Sequence, residues 1–222
     1  MTARPTPRYY VLHGEDELAR SEAVKTLRDR LGPPEIAALN TTAFEASNVS
    51  LAELKNACNT IPFMAERRMV IVHGLLSHLA YAKLDEPSTW QKQYQEELGI
   101  YLPQLPETTR LVFVEPRQLP ENNPILRQAI KDDTAYVRAF VPPRNPVQWV
   151  RSRAKEKRGE FSHEAAQALV QAVGDDPRML DQEIEKLLTY TNLDRPVDGQ
   201  DVSLLVPLAQ EAVIFDAVDA LG

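Results

Sequence analysis

The chain has 222 residues, of which 43% are hydrophobic and 26% are charged, a composition typical of globular proteins and not of disordered ones. Its formal charge of −7 argues against a bulk electrostatic attraction to nucleic acid. A single cysteine excludes an internal disulfide, and no apolar run approaches the ~20 residues of a membrane helix. The length favours two domains, and the absence of an apolar signal core at the N-terminus predicts a cytoplasmic protein.

The first part of the sequence alternates strand and helix patterns. The predicted strands are 8–13, 37–44, 69–72, 110–115 and 135–141, and the predicted helices are 16–31, 50–58, 87–102 and 123–131. Such alternation predicts βαβ units, right-handed crossovers and a parallel sheet covered on both faces. Within the helix 87–102, an aromatic stripe at helical spacing is interpreted as core: Trp90, Tyr94, Leu98 and Tyr101.

The pattern changes at a proline cluster, residues 142–146, which is the best candidate for a domain boundary. Only helices are predicted beyond it. Ser162 is the expected N-cap of one helix, and Asp176, followed by Pro177, is the expected N-cap of the next. We therefore expect a small helical bundle after the α/β domain.

A last helix is predicted from Gln210, with an apolar stripe formed by Ile214, Ala217, Val218 and Leu221. The sequence ends at Gly222, which leaves that stripe nothing to pack against. The pattern suggests that a further domain, which would have covered the stripe, has been removed.

The turn between the helix 50–58 and the strand 69–72 carries two adjacent large apolar residues, Phe63 and Met64. Pro62 biases Ile61 away from the helical region, so the helix should end before it. Residues of this kind at a turn either fold back into the core or point outward at a partner. From the segment alone both readings stay open, and core packing is the commoner outcome.

A nucleotide site would normally follow the first strand, where the sequence reads GEDELARS, residues 14–21. Compared with G-x-x-x-x-G-K-[ST], only Gly14 and Ser21 match, because Ala19 replaces the second glycine and Arg20 the lysine. Three consecutive acids, 15–17, would also repel phosphate. We therefore expect no ATP binding here, and we interpret the acid that ends the fourth strand, Glu115, as a structural residue.

Other catalytic patterns are weaker. The four histidines show no metal-ligand spacing, and Cys58 has no local partner that would activate it as a nucleophile, so it is interpreted as a small core residue. The sequence accordingly predicts no catalytic residue, no cofactor and no metal site.

One basic segment stands out around the start of the bundle. Its members after the proline cluster include Arg151, Arg153, Lys155, Lys157 and Arg158. These residues are either the solvated face of a helix or a contact with DNA or an acidic neighbouring subunit. The first reading is favoured, because charge runs are usually solvated and this one lacks exposed aromatics for base stacking.

Three stretches, in this order, resemble the delta subunit of the bacterial DNA polymerase III clamp loader. They are YYVLHGEDELARSEAV (9–24), IPFMAERRMVIV (61–72), and GDDPRMLDQEIEKLLTY (174–190) followed by EAVIFDAVDAL (211–221). The resemblance implies an AAA+-like α/β domain with a degenerate nucleotide site at 1–143, a helical lid domain at 144–208 and the start of a truncated collar domain at 209–222.

The resemblance also implies a function. The family's delta subunit opens the ring-shaped sliding clamp by inserting two adjacent apolar residues into a pocket on the clamp, without hydrolysing ATP itself. Those positions fall on Phe63 and Met64, flanked by Ile61 and Pro62, with Pro62–Phe63 as the alternative register. The familiar pair is leucine then phenylalanine, so this sequence departs from it in residue type.

The implied partners are the sliding clamp, the other clamp-loader subunits through the missing collar, and DNA only indirectly, with no membrane contact. Two alternatives remain at this stage. One is an active AAA+ ATPase of a replication complex, which requires nucleotide binding at residues 14–21. The other is a DNA-binding module that uses the basic segment 144–158.

Overall fold

The computed structural model describes residues 6–80 and 89–207. The chain divides into two compact units that meet at Val141 and Pro142. The first is a parallel sheet with helices on both faces, and the second contains helices without a sheet in its described part. The predicted parallel α/β class with a following helical bundle is confirmed.

The strands of the first unit are β1 (Tyr9–His13), β2 (Thr41–Glu45), β3 (Arg68–His73), β4 (Thr109–Glu115) and β5 (Ala135–Ala139). Its helices are α1 (Glu17–Asp29), α2 (Pro34–Leu39), α3 (Leu51–Asn59), α4 (Leu75–Ala80), α5 (Thr89–Tyr101) and α6 (Pro124–Lys131). Among the described residues, the strands form one sheet in the order β2-β3-β4-β1-β5, and all pairs are parallel. The amino ends of the strands therefore share one edge of the sheet and the carboxyl ends share the other.

Each face of the sheet carries its own apolar core. On one face, α1 packs its Ala23, Val24 and Leu27 against Leu12 and Met69. On the other face, the helices α3 to α6 cover alternate residues of the same strands. The three central strands, β1, β3 and β4, are buried almost throughout, which explains their continuous apolar runs.

Two predicted elements differ from the structure. Residues 34–39, placed partly in the second strand, form the helix α2, because Pro34 occupies the first turn of a helix where its fixed φ is favourable. The strand β2 then begins only at Thr41. The helix α4, which was not predicted, starts directly after Gly74, and its first turn is capped from a distant strand.

The aromatic stripe of α5 is only partly core. Leu98 and Tyr101 are buried and Tyr94 packs against the core, but the side chain of Trp90 is exposed. Its ring lies 5.9 Å from that of His78, so it rests on a neighbouring helix at the surface. The prediction that Trp90 is buried is wrong, because it lies near the start of α5, away from the sheet-facing part of the helix.

The second unit contains α7 (Pro146–Glu156), α8 (His163–Val173), α9 (Pro177–Tyr190) and α10 (Gly199–Leu205). The predicted caps are present: Ser162 accepts the N–H of Ala165, and Asp176 accepts the N–H groups of Arg178 and Met179. One apolar core joins the four helices. The predicted last helix and its stripe lie outside the described residues, and in the part that the structure describes no helix is long and apolar enough to cross a membrane.

Candidate functional site

The turn between α3 and β3 projects apolar side chains into solvent. The exposed fraction is 85% for Ile61, 59% for Phe63 and 77% for Met64, while Pro62 is half-buried. A capping box at Ser50 fixes the start of α3, and Thr60 leaves the helical conformation at its end. The turn therefore sits between two well-defined elements, and the core-packing reading of Phe63 and Met64 does not hold.

A buried asparagine holds this turn in place. Asn40, between α2 and β2, is 2% exposed. Its Oδ1 accepts the N–H of Phe63 at 2.7 Å, and its Nδ2 donates to the C=O of Phe63 at 2.8 Å and to the C=O of Ile36 at 2.9 Å. Its own C=O accepts the N–H of Met69 at 2.8 Å. The backbone of the turn is thus pinned while its side chains stay free.

Met64 adopts a left-handed backbone conformation, with φ of 51°. That region costs a residue with a Cβ about 1–2 kcal/mol, which is why glycine or asparagine usually occupies it. A large apolar side chain that is both strained and exposed contributes little to folding. Such a residue is a candidate for binding.

The exposed apolar surface extends to α2. Leu39, the residue before Asn40, is also exposed. We call Leu39, Ile61, Phe63 and Met64 the docking turn surface. Sequence reasoning missed both Leu39 and Asn40, because neither is close in sequence to the turn that Asn40 supports.

The loop that follows β1 is short and is filled by its own side chains. Helix α1 starts at Glu17, so only residues 14–16 connect it to the strand. The backbone N–H of Asp16 donates to the C=O of Phe140 at 3.2 Å, and the side chain of Asp16 accepts the N–H of Ala19 at 3.0 Å. The N–H groups of Asp16 and Ala19 are thus already used within the fold.

The residues that align with the nucleotide motif, whether or not they match it, have other partners. The guanidinium of Arg20, which is buried, donates to the C=O of Gly14 in the same loop. The hydroxyl of Ser21 donates to the C=O of Leu18 at 2.8 Å, within α1. A Cβ on Gly14 would lie 2.0 Å from the carbonyl oxygen of Phe140, so this glycine is required by close backbone packing.

Glu115, at the carboxyl end of β4, is fully buried. Its two oxygens accept the N–H groups of Leu76 and Ser77 at 2.8 and 2.9 Å, so it caps the first turn of α4. Burial raises the pKa of this carboxyl, and the hydrogen bonds from α4 and the charge of Arg20 oppose that rise. These contacts give Glu115 a structural role.

A cleft of about 660 Å³ lies at the carboxyl edge of the sheet, and both His73 and His78 line it. His13 is instead buried, and its Nδ1 accepts the N–H of Leu119 at 3.1 Å. Cys58 is also buried, as predicted, and burial raises the pKa of its thiol to about 12. In the described ranges, no group of three or more His, Cys, Asp or Glu side chains is arranged to hold a metal ion.

The basic segment is partly neutralised within the bundle. Arg153 bonds the carboxylate of Asp181 at 2.7 Å, and Lys157 lies 3.1 Å from both Asp181 and Glu185. Burial raises the pKa of Asp181, but the hydrogen bonds from Arg153 and Lys157 outweigh that effect and lower it. Two of the five predicted contact residues therefore bind α9, while Arg151, Lys155 and Arg158 are exposed.

These features define a class of protein: a parallel α/β unit whose loop after β1 is closed by its own side chains, with an exposed apolar turn, followed by a helical bundle. The family model described as DNA polymerase III, delta subunit, matches residues 10–140. The chain belongs to this family.

Two matches come from Bacillus subtilis. The DNA polymerase III subunit delta is 24% identical over 216 residues, which cover 96% of this chain and 60% of that protein. The solved structure of the DNA clamp loader delta protein is 25% identical with a TM-score of 0.73, covering 96% of this chain and 62% of the other. The chain thus spans about three fifths of the length of these relatives.

A more distant structural match is the Holliday junction branch migration motor RuvB of Thermotoga maritima. It is 11% identical with a TM-score of 0.48, covering 88% of this chain and 59% of the other.

Proposed function

We propose that this chain binds the ring-shaped sliding clamp of DNA polymerase III and favours its open form during DNA replication. The observation that carries the proposal is the exposure of Ile61, Phe63 and Met64 on a turn that Asn40 pins through its backbone. Phe63 and Met64 enter an apolar pocket on the clamp, with Ile61 and Pro62 at its rim.

The energetics suit a docking role. Burying a Phe or Met side chain contributes roughly 1.5–3 kcal/mol, so the pair accounts for several kcal/mol. A rigid phenylalanine fills a deep pocket, and a flexible methionine adapts to an irregular one. Because the turn backbone is already ordered, little conformational entropy is lost on binding.

Ring opening follows from differential binding. A protein shifts a ring towards its open form only if it binds the open form more tightly than the closed one. The docking turn surface anchors the first unit on the clamp, and the rest of that unit braces against the strained ring interface. The chain is the effector of this step and not the source of its energy.

We further propose that the chain itself neither binds nor hydrolyses ATP and is a non-catalytic subunit of the polymerase complex. Support comes from the loop after β1, where Arg20 bonds Gly14. Three acids, residues 15–17, also lie next to the positions at which the nucleotide motif requires a second glycine and a lysine. Nucleotide control then comes from neighbouring subunits.

The second unit serves as a lid domain and residues 209–222 begin a collar that joins the other loader subunits. DNA contact occurs through the assembled cytoplasmic complex. The ion pairs of Arg153 and Lys157 with α9 make the basic segment a weaker candidate for direct DNA binding.

The clamp proposal is tested with the double variant Phe63→Ala/Met64→Ala. Binding to the cognate clamp, measured by calorimetry, should weaken by about 2–5 kcal/mol, as for an interface hot spot. The matched control is Ile100→Ala/Ile130→Ala, two apolar residues of the same unit that are each 66% exposed. Equal clamp affinity of the two double variants would overturn the proposal.

The nucleotide proposal is tested separately. Calorimetry with ATP and magnesium should give no binding, and micromolar affinity would show the chain to be an active ATPase subunit instead. The two measurements are independent, so either proposal survives the failure of the other.

A further inference from the structure

The amino-terminal edge of the sheet carries arginines beside the docking turn surface. Arg67 directly precedes β3 and follows Met64 by three residues. Arg110 lies in β4, paired in register with Met69 of β3. Arg30 ends α1, the helix that packs on this face of the sheet. We call Arg30, Arg67 and Arg110 the basic ledge.

The charges of all three guanidinium groups act on the same hydroxyl, that of Tyr10. Burial raises the pKa of Tyr10 in β1, and the charges of Arg110, Arg30 and Arg67 all act in the opposite direction on that hydroxyl. Arg110 and Arg67 repel each other as well, since burial first and then the charge of Arg67 lower the pKa of Arg110. The ledge is therefore a compact cluster of like charge.

The charge of Glu107 favours the charged form of Arg110, but less strongly than burial and the charge of Arg67 oppose it. Arg110 is only 7% exposed, and its Nη1 donates to the backbone C=O groups of Glu107 and Thr109 at 2.8 and 2.7 Å. The carboxylate of Glu107 is itself paired with Arg8 at 3.0 Å. Among residues 6–80 and 89–207, no carboxylate forms an ion pair with a member of the ledge.

The next residue, Arg68, lies on the opposite face of the sheet, towards Cys58, and is a second buried guanidinium. Arg68 is 8% exposed, its NH2 group bonds the hydroxyl of Thr42 at 3.0 Å, and its Nε has no hydrogen-bond partner. Of the ledge members Arg110 is buried, while Arg30 and Arg67 are exposed, so keeping a buried charge beside two like charges has a cost in stability. An acidic partner that covers this edge would remove that cost.

We propose that the basic ledge meets carboxylates on the rim of the clamp pocket that receives Phe63 and Met64, and that this contact steers and orients docking. The inference rests on the proposed clamp binding. Continuity favours it, because Asn40 fixes both Phe63 and, through Met69, the start of β3, so that Arg67 has a defined position next to the turn. Charge complementarity of this kind acts mainly on the association rate.

A nucleic-acid partner is the less favoured alternative. The chain carries a formal charge of −7, and the ledge adjoins apolar side chains that a phosphate backbone would not fill. A protein pocket with an acidic rim matches both the apolar and the basic parts of the surface.

The test uses Arg67→Glu and the neutral Arg67→Gln, because Arg67 is exposed and its replacement spares the core. The matched control is Arg117→Glu, an exposed arginine that follows β4 at the opposite edge of the sheet and changes the net charge equally. Association and dissociation rates with the cognate clamp are measured by surface plasmon resonance from about 0.05 to about 0.5 M NaCl.

At low salt, Arg67→Glu should slow association about tenfold, Arg67→Gln should have an intermediate effect, and the curves should converge at high salt. The dissociation rate should change little, whereas Phe63→Ala/Met64→Ala should raise it. Arg117→Glu should associate like the unaltered chain.

Two results would overturn the inference while leaving clamp binding intact. One is that Arg67→Glu and Arg117→Glu associate with the clamp at the same rate, although the unaltered chain does bind the clamp through Phe63 and Met64. The other is that Arg67→Glu abolishes binding to a duplex oligonucleotide and leaves clamp association unchanged, which would assign the ledge to nucleic acid. If the unaltered chain does not bind the clamp, the proposed function and this inference both fail.

Discussion

The side-chain amide of Asn40 bonds both the N–H and the C=O of Phe63, at 2.7 and 2.8 Å, much as a peptide group of a neighbouring strand would. The two residues are 23 positions apart in the chain. Because the amide of Asn40 is buried, these bonds are shielded from water and position the turn without occupying its side chains.

Replacing Asn40 with Asp should affect stability and binding separately. Aspartate keeps the acceptor for Phe63 N–H but sets a carboxylate against the C=O groups of Phe63 and Ile36, so the free energy of unfolding should fall by about 1–3 kcal/mol. Clamp affinity should fall as well, because the turn is no longer held in its docking geometry.

A double-mutant cycle separates positioning from general destabilisation. In the Phe63→Ala/Met64→Ala background, Asn40→Asp should lower the melting temperature as before but should no longer change clamp affinity, giving a coupling of about 1 kcal/mol or more. Additive losses of affinity would show that Asn40 does not act through the turn.

At position 64, methionine should give a less stable fold than glycine but tighter binding to the clamp. Met64→Gly removes the Cβ from a left-handed residue, so unfolding should require about 0.5–1 kcal/mol more free energy. Clamp binding should weaken, because the apolar side chain is lost. Met64→Ala, which keeps the strain, should weaken binding without the gain in melting temperature, and a destabilised Met64→Gly would contradict the strained conformation.

Gly14→Ala should destabilise the first unit far more than Gly32→Ala. Both glycines have positive φ, 124° and 128°, so both substitutions carry a similar backbone cost. Only at Gly14 does the new Cβ collide with backbone, the C=O of Phe140, whereas the nearest atom at Gly32 is 3.9 Å away. Chemical denaturation of the two variants tests this, and equal losses would contradict the close approach of the loop to Phe140, the residue after β5.

Protonation of Asp201 at low pH should destabilise the helical bundle. Hydrogen bonds from Arg195 at 2.6 and 2.7 Å, and from the N–H of Asp198 at 3.0 Å, hold the pKa of Asp201 at about 2. A carboxyl whose pKa is lower in the folded chain stabilises it above the unfolded pKa of about 3.9, and this contribution is lost as pH falls towards 2.

Asp201→Asn should therefore be less stable than the unaltered chain at pH 7, and the difference should shrink as the pH is lowered through that range. Asp175→Asn, a change at an exposed aspartate, is the control and should show no such difference. Thermal unfolding followed by circular dichroism from about pH 7 to about pH 2 measures both. A constant difference across the range would contradict the role of the Arg195–Asp201 pair.

Local sequence patterns predicted the order of most elements. The apolar runs of β1, β3 and β4 have one cause, burial on both faces of a parallel sheet, so they were recognisable without the structure. The N-caps at Ser162 and Asp176 depend only on residues two or three positions away, and both were predicted. Helix α2 was not predicted, because Pro34 and its neighbours are typical both of the end of one helix and of the first turn of another.

The sequence predicted only part of the candidate site. Adjacent Phe63 and Met64 after Pro62 marked a turn with large apolar residues, but the pattern alone could not decide between core and surface. The resemblance to the delta-subunit family favoured the surface, and the exposure of both side chains in the structure agrees with it. Nothing near Asn40 in sequence indicated that its side chain bonds that turn.

The sequence by itself determined the features that depend on neighbours within a few residues: the alternation of strands and helices, the helix caps, and the failure of the nucleotide motif at residues 14–21. Only the tertiary structure decided which side chains meet across the fold. It brought the amide of Asn40 to Phe63, the carboxylate of Glu115 to α4, and Arg30, Arg67 and Arg110 to one edge of the sheet. Hydrogen bonds and like-charge repulsion act over a few ångströms in space, and the strand order that creates those distances is not encoded in any single segment.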